Sequence, residues 1–226
     1  MLVSHVCRFI YLKTIKTAGT SVEIFFEPFC VDPRGYQPLD RRPAQVSAWG
    51  VVGSRGFADP VWFNHMPAQT VRAQLPADMW DRYLKFCVVR NPFDKLVSRF
   101  WHELTPDEQR EFRTADFATV RACFLEWVTR RTYPVDRNIY MIDGAPAVDR
   151  FVLFERLHDD LAGICQVLGL PWQANRLPRA KGGFRTRGEH FSSYYDPAAE
   201  ALVREDFAWE LDRFGYVNGT DRPRGG

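Results

Sequence analysis

Three short apolar runs constrain this chain most: RFIYL at 8–12, KFCVV at 85–89 and FVLF at 151–154. Each has the length of a strand buried on both faces, and helical patterns fill the intervals between them. Strands separated by helices run parallel, because a parallel neighbour is reached only through a long crossover. The expected class is α/β. Ligands in such sheets bind beyond the carboxyl ends of the strands, so the residues following the three runs should converge on one edge.

The intervals read as follows. A short helix spans 21–27 and stops at Pro28. Residues 29–60 are rich in Pro, Gly and Arg and read as a long irregular connection, and 61–63 as a short extended piece. Helices are expected over 68–75 and 78–83. Asn91 can cap the next helix with Pro92 at its first position, and Phe93, Leu96, Val97, Phe100, Trp101 and Leu104 then share one face. Further helices are expected over 117–131, over 157–168 closed by Gly169, and over 197–214. The expected organisation is one domain over 1–218 with a disordered polar tail over 219–226.

Composition narrows the function classes. The net charge of +2 gives no global basic field, so nucleic acid is not an expected partner. The five cysteines, Cys7, Cys30, Cys87, Cys123 and Cys165, form no CxxC or Cys/His cluster, and no metal site is expected. Cys7, Cys87, Cys123 and Cys165 sit in apolar surroundings and read as buried thiols, which favours a reducing compartment. No basic-then-apolar leader opens the sequence and no apolar stretch reaches about 18 residues, so a cytoplasmic protein without a transmembrane segment is expected. Aromatics make up 15%, chiefly a dense core, with some rings available to line a site for an apolar or planar ligand. Nothing in the sequence sets the oligomeric state.

The strongest chemical signal is KTIKTAGTS at 13–21, between a strand and a helix. Gly19 suits a tight turn, successive backbone N–H groups can face an anion, and the helix N-terminus adds positive potential. Lys16 supplies a full charge, and Thr17, Thr20 and Ser21 supply hydroxyls. The loop is not GxxxxGK[ST], because its lysine precedes the glycine. A P-loop kinase also needs a carboxylate for Mg²⁺ at the end of a neighbouring strand. The run KFCVV ends instead in Arg90 and Asn91, and a cation there attracts a second phosphate. Two anion sites fit a donor phosphorylated at both ends of its nucleoside better than they fit MgATP. A P-loop kinase-like phosphotransferase and a non-catalytic nucleotide-binding protein stand as the alternative readings.

The stretch IKTAGTS at 15–21 resembles the PKTAGTS loop of sulfotransferases that use 3′-phosphoadenosine 5′-phosphosulfate (PAPS), and VVRNPFDKLVSRFW at 88–101 resembles their 3′-phosphate motif. FVLFERL at 151–157 and the terminal FGY at 214–216 extend the likeness, which is greatest to the carbohydrate-sulfotransferase-like and bacterial branch. Ile15 departs from the family's usual proline. The resemblance implies a P-loop-like three-layer domain, its central mostly parallel sheet flanked by helices. It implies Lys16, Thr17, Gly19, Thr20 and Ser21 at the 5′-phosphosulfate, and Arg90 and Ser98 at the 3′-phosphate. PAPS would be the co-substrate and 3′,5′-bisphosphoadenosine (PAP) the product, with no metal. The basic, Gly-containing loop at 181–187, with Lys181, Arg185 and Arg187, matches a late phosphate-binding loop of the cytosolic relatives in character.

In-line sulfuryl transfer to an alcohol needs the leaving phosphate's charge neutralised, and it gains from a general base. Lys16 is the natural electrostatic stabiliser. Some relatives carry a catalytic His between the two motifs, which makes His65 in FNHMPA the first choice; His102, Glu155 and Glu27 are alternatives. The acceptor, a glycan or a small metabolite, is not specified by the sequence.

Overall fold

The three apolar runs become neighbouring strands of one sheet in the computed structural model, which describes residues 1–34, 36–180, 185 and 187–220. In chain order these residues form β1 (Leu2–Ser4), β2 (Phe9–Leu12), α1 (Gly19–Phe26), β3 (Gln45–Ser47), β4 (Gly50–Val52), α2 (Ala68–Gln74), α3 (Ala77–Arg82) and β5 (Leu84–Val89). Then follow α4 (Pro92–Glu103), α5 (Pro106–Thr114), α6 (Phe117–Thr129), β6 (Met141–Ile142), β7 (Ala145–Pro146), β8 (Arg150–Leu153), α7 (Leu157–Leu168), α8 (Pro197–Asp206) and α9 (Ala208–Phe214). The chain divides into two compact units: Met1–Val89 with Asp136–Ala180, and Arg90–Val135 with Lys181–Gly226.

The first unit holds the sheet, in the order β3-β4-β1-β2-β5-β8. β2 pairs in parallel with β5, and β5 with β8. β1 lies antiparallel to β2 and β4, and β3 antiparallel to β4. Strands β2, β4, β5 and β8 therefore point one way and β1 and β3 the other, which is the mostly parallel α/β sheet expected from the three runs. The register sets Leu12 beside Cys87 and Val89 beside Leu153, so the parallel strands end on one edge.

The apolar runs lack polar alternation because both faces of the sheet are covered. Phe9, Tyr11, Phe86, Val88 and Val152 pack with Val22 and Phe26 of α1 and with Leu161, Ile164 and Cys165 of α7. Ile10, Leu12 and Cys87, on the opposite face, are equally buried. Burying one such large apolar side chain stabilises the fold by roughly 1.5–3 kcal/mol.

In the second unit Asn91 caps α4 by accepting the Phe93 N–H, with Pro92 at the first position. The apolar face of α4 meets the aromatic side chains of its own unit: Phe100 contacts Phe112, Phe124 and Trp127, and the Trp101 indole donates to Tyr194 at 3.2 Å.

Several local readings need correction. Residues 29–60 are not wholly irregular, because they contain the β3–β4 hairpin. Each of its strands has only three residues, too few to show periodicity, and it is set by long-range pairing. Residues 61–63 form no strand. The expected helix over 197–214 breaks at Phe207 into α8 and α9. Helix α5 escaped notice although Thr105 and Glu108 form a reciprocal capping box that the sequence TPDE displays. None of the five cysteines forms a disulfide among the described residues; Cys30 joins Cys87 and Cys165 as fully buried, whereas Cys7 and Cys123 are half-buried. Among the described residues no helix is long and apolar enough to cross a membrane. Of the expected tail, residues 221–226 lie outside the described residues.

Candidate functional site

The chain leaves β2 at Leu12 and enters α1 at Gly19. Between them, Lys16 and Ala18 both occupy the left-handed region at φ 58°, while Thr17 does not. Alternation of right- and left-handed residues is the backbone pattern of a concave anion nest, in which successive N–H groups face one side. Ala18 is also the N-cap residue of α1, so the helix's unpaired first N–H groups open at the same place.

Side chains fasten this backbone from within. The Thr14 hydroxyl donates to the Val88 carbonyl of β5. It also shares a 2.7 Å hydrogen bond with the Thr17 hydroxyl. The Ile15 N–H donates to the Asp136 carboxylate at 2.7 Å. The Ala180 N–H donates to Ser21 Oγ at 3.1 Å. The Thr17 hydroxyl is thus engaged inside the loop, and Ser21 Oγ accepts from the chain.

Gly19 serves a different purpose from the tight turn expected of it. The left-handed residues are Lys16 and Ala18, and Gly19 is needed for space. A Cβ there would stand 2.8 Å from Lys13 Cγ and 2.9 Å from its Cε. The Lys13 side chain crosses Gly19 and donates to Glu23 at 2.7 Å and to Thr20 Oγ1 at 3.4 Å. It cannot withdraw cheaply from a buried ion pair. Gly19→Ala is therefore expected to destabilise the protein by about 1–3 kcal/mol, the usual cost of overpacking, measurable by urea unfolding.

Sequence reasoning missed the layer behind the loop. Glu23 of α1 and Glu27, one turn on at the helix's C-cap, are both buried, and so are Arg42 and Arg55. Arg55 donates to Glu23 at 3.0 Å and to Glu27 at 2.5 Å. Arg42 donates to Glu27 at 2.7 Å, and Tyr36 adds a 2.9 Å bond to its other oxygen. Arg42 also bonds the Gly53 carbonyl, and Arg55 the Leu39 carbonyl. Two arginines thereby pin the long connection after α1 to the helix that begins at the anion nest. Glu27 is committed to this network, which removes it from the candidate bases. The only local signal was the i, i+4 spacing of the two glutamates.

His65 belongs to the same unit as the nest. Its backbone is left-handed, with φ 55°, an uncommon conformation for a side-chain-bearing residue. Its Nδ1 lies 3.1 Å from the carbonyl of Lys13, the residue that opens the loop. A carbonyl only accepts, so Nδ1 carries the proton and Nε2 presents its lone pair. Burial, reinforced by the charge of Lys13, pushes the imidazole pKa down to about 4, so the ring is neutral at pH 7. Met66 beside it is fully buried. Glu155 lies half-buried in the 3-10 turn Phe154–Arg156 that follows β8.

The remaining candidates lie in the second unit. Arg90 pairs with Asp94 through Nε at 2.9 Å and Nη2 at 2.5 Å. Arg185 reaches the other Asp94 oxygen at 3.1 Å, so one carboxylate joins two of the expected phosphate ligands. Ser98 is half-buried one turn beyond Asp94, and His102, a turn further on, is exposed. Arg187 is a structural pin. It bonds Glu189 at 2.7 Å and the Phe112 and Ala115 carbonyls at the end of α5. Lys181 lies outside the described residues.

The first parallel strand of the α/β sheet thus leads, through a loop with two left-handed residues, into the N-terminus of α1. Residues 1–217 match the model of the Sulfotransferase family, and the chain belongs to that family. Sulfuryl transfer in general follows from the membership. An uncharacterized protein of Archaeoglobus fulgidus is 32% identical over 111 residues, covering 47% of this chain and 84% of that one. No solved structure matches the chain.

Proposed function

We propose that the protein transfers a sulfuryl group from PAPS to a hydroxyl of a small-molecule or carbohydrate acceptor. The observation that carries this reading is the conjunction, in one unit, of the nest at Lys16–Ala18 with a neutral imidazole hydrogen-bonded to the residue that opens the same loop. The nest and the N-terminus of α1 suit a tetrahedral anion such as the 5′-phosphosulfate. Arg90 and Ser98 are assigned to the 3′-phosphate on the strength of their motif, and Arg185 on the basic, Gly-containing character of its loop. Five thiols, none in a disulfide among the described residues, suit a reducing compartment, and we assign the protein to the cytoplasm.

In this reading the sulfur–oxygen bond to the 5′-phosphate breaks as a sulfur–oxygen bond to the acceptor forms. The acceptor's proton passes to His65 Nε2. Lys16 and the loop N–H groups meet the charge that builds on the departing phosphate oxygen. No part of this needs a metal ion. PAP is accordingly expected to bind with undiminished affinity in excess EDTA, and ATP with Mg²⁺ to compete poorly. Calorimetry measures both. Loss of PAP binding under chelation, or tighter binding of MgATP, contradicts the reading.

A further inference from the structure

Asp94, on the first turn of α4, is held as a phosphate would be held. Its Oδ2 accepts two N–H groups of Arg90, at 2.9 and 2.5 Å, and its Oδ1 accepts Arg185 Nη1 at 3.1 Å. All three side chains are mostly covered: 12% of Arg90, 17% of Asp94 and 25% of Arg185 is exposed. Arg185 is fixed further by its bond to the Glu189 carbonyl and by the Tyr194 ring, 5.8 Å from its guanidinium. Two guanidinium groups sharing one oxyanion is the arrangement by which arginines recognise phosphate.

We propose that Asp94 is an internal competitor for the 3′-phosphate, setting donor affinity and product departure; this rests on the assignment of Arg90 to that phosphate. Without ligand, the carboxylate keeps both arginines oriented and compensates their charge. When the phosphate dianion arrives, it must share or displace those contacts beside a like charge. Repulsion between charges a few Å apart in a partly covered site is large enough to weaken binding by an order of magnitude. The positioning of the arginines is thereby maintained at the cost of affinity, and bound PAP is released more readily.

The test compares Kd values for PAP and for 5′-AMP, which lacks the 3′-phosphate, in the wild type, Asp94→Asn and Arg90→Ala. Asparagine keeps the size and one accepting oxygen but removes the charge. Asp94→Asn is expected to tighten PAP binding about tenfold and to leave 5′-AMP unchanged. Unchanged or weaker PAP binding in the folded variant overturns the proposal, as does an equal change for both ligands, the mark of a merely structural role in α4. Asp94→Ser gives the same comparison should the asparagine variant not fold. Arg90→Ala separates the two levels of the argument. A fall in PAP affinity of about 10- to 100-fold upholds the phosphate assignment whatever Asp94 does. Unchanged PAP affinity in Arg90→Ala overturns the assignment, and the proposal with it.

Discussion

Lys16→Ala is expected to lower kcat by about 10²–10³-fold while changing the Kd for PAP much less. Lys16 stands in the nest, between the end of β2 and the first turn of α1, where the proposed leaving phosphate gathers charge as the sulfuryl group departs. A cation there gains more from the transition state than from the ground state, so its loss appears in kcat. The nest itself survives the substitution in part, because its N–H groups belong to the backbone. Alanine already occupies the left-handed conformation at position 18 of the same loop. Lys16→Arg keeps the charge and should recover part of the rate. A Lys16→Ala enzyme with wild-type kcat and only weaker PAP binding would make Lys16 a ground-state contact.

His65→Ala is expected to cost about 10²–10⁴-fold in kcat, the usual contribution of general-base catalysis, with PAP affinity nearly intact. The imidazole is presented for this task by its bond to the Lys13 carbonyl, which leaves Nε2 unprotonated. Its pKa of about 4 fixes the pH behaviour. A base works only when neutral, and this one becomes protonated only as pH falls toward 4. The kcat/KM profile, which reports the free enzyme, should therefore be level from about pH 5 upward. An ordinary exposed histidine would instead give an inflection near pH 6.5. His102→Ala and Glu155→Gln are the controls. Near-wild-type turnover in His65→Ala, with loss in either control, moves the assignment to the residue that failed. Full activity in all three points to an acceptor acidic enough to react unaided.

The legible parts of the fold were those governed by nearest neighbours in sequence. Helix α4 announces itself through Asn91 and Pro92, and α7 through its closing Gly169, because capping and left-handed termination are local transactions of the backbone. The three apolar runs were readable as parallel strands, since burial on both faces removes every polar alternative. The loop between β2 and α1 was legible because small and hydroxylated residues there separate an apolar run from a helical pattern. The sequence alone therefore determined the sheet's parallel centre, and it offered the loop at 13–21, with Lys16 and Arg90 as candidate ligands.

Tertiary structure decided which partner each charge takes. Arg90 and Asp94 are visible as an i, i+4 pair, but Arg185 joins the same carboxylate from 91 positions away. His65 meets the Lys13 carbonyl across 52 positions, and Arg55 meets Glu27 across 28. No local pattern encodes such meetings, because a buried charge accepts any opposite charge that the fold brings within reach. Gly19 shows the same division within a single residue. Its place in the motif is plain from sequence, yet its reason, room for the buried stem of Lys13, appears only when Glu23 is seen holding that lysine from one turn along α1.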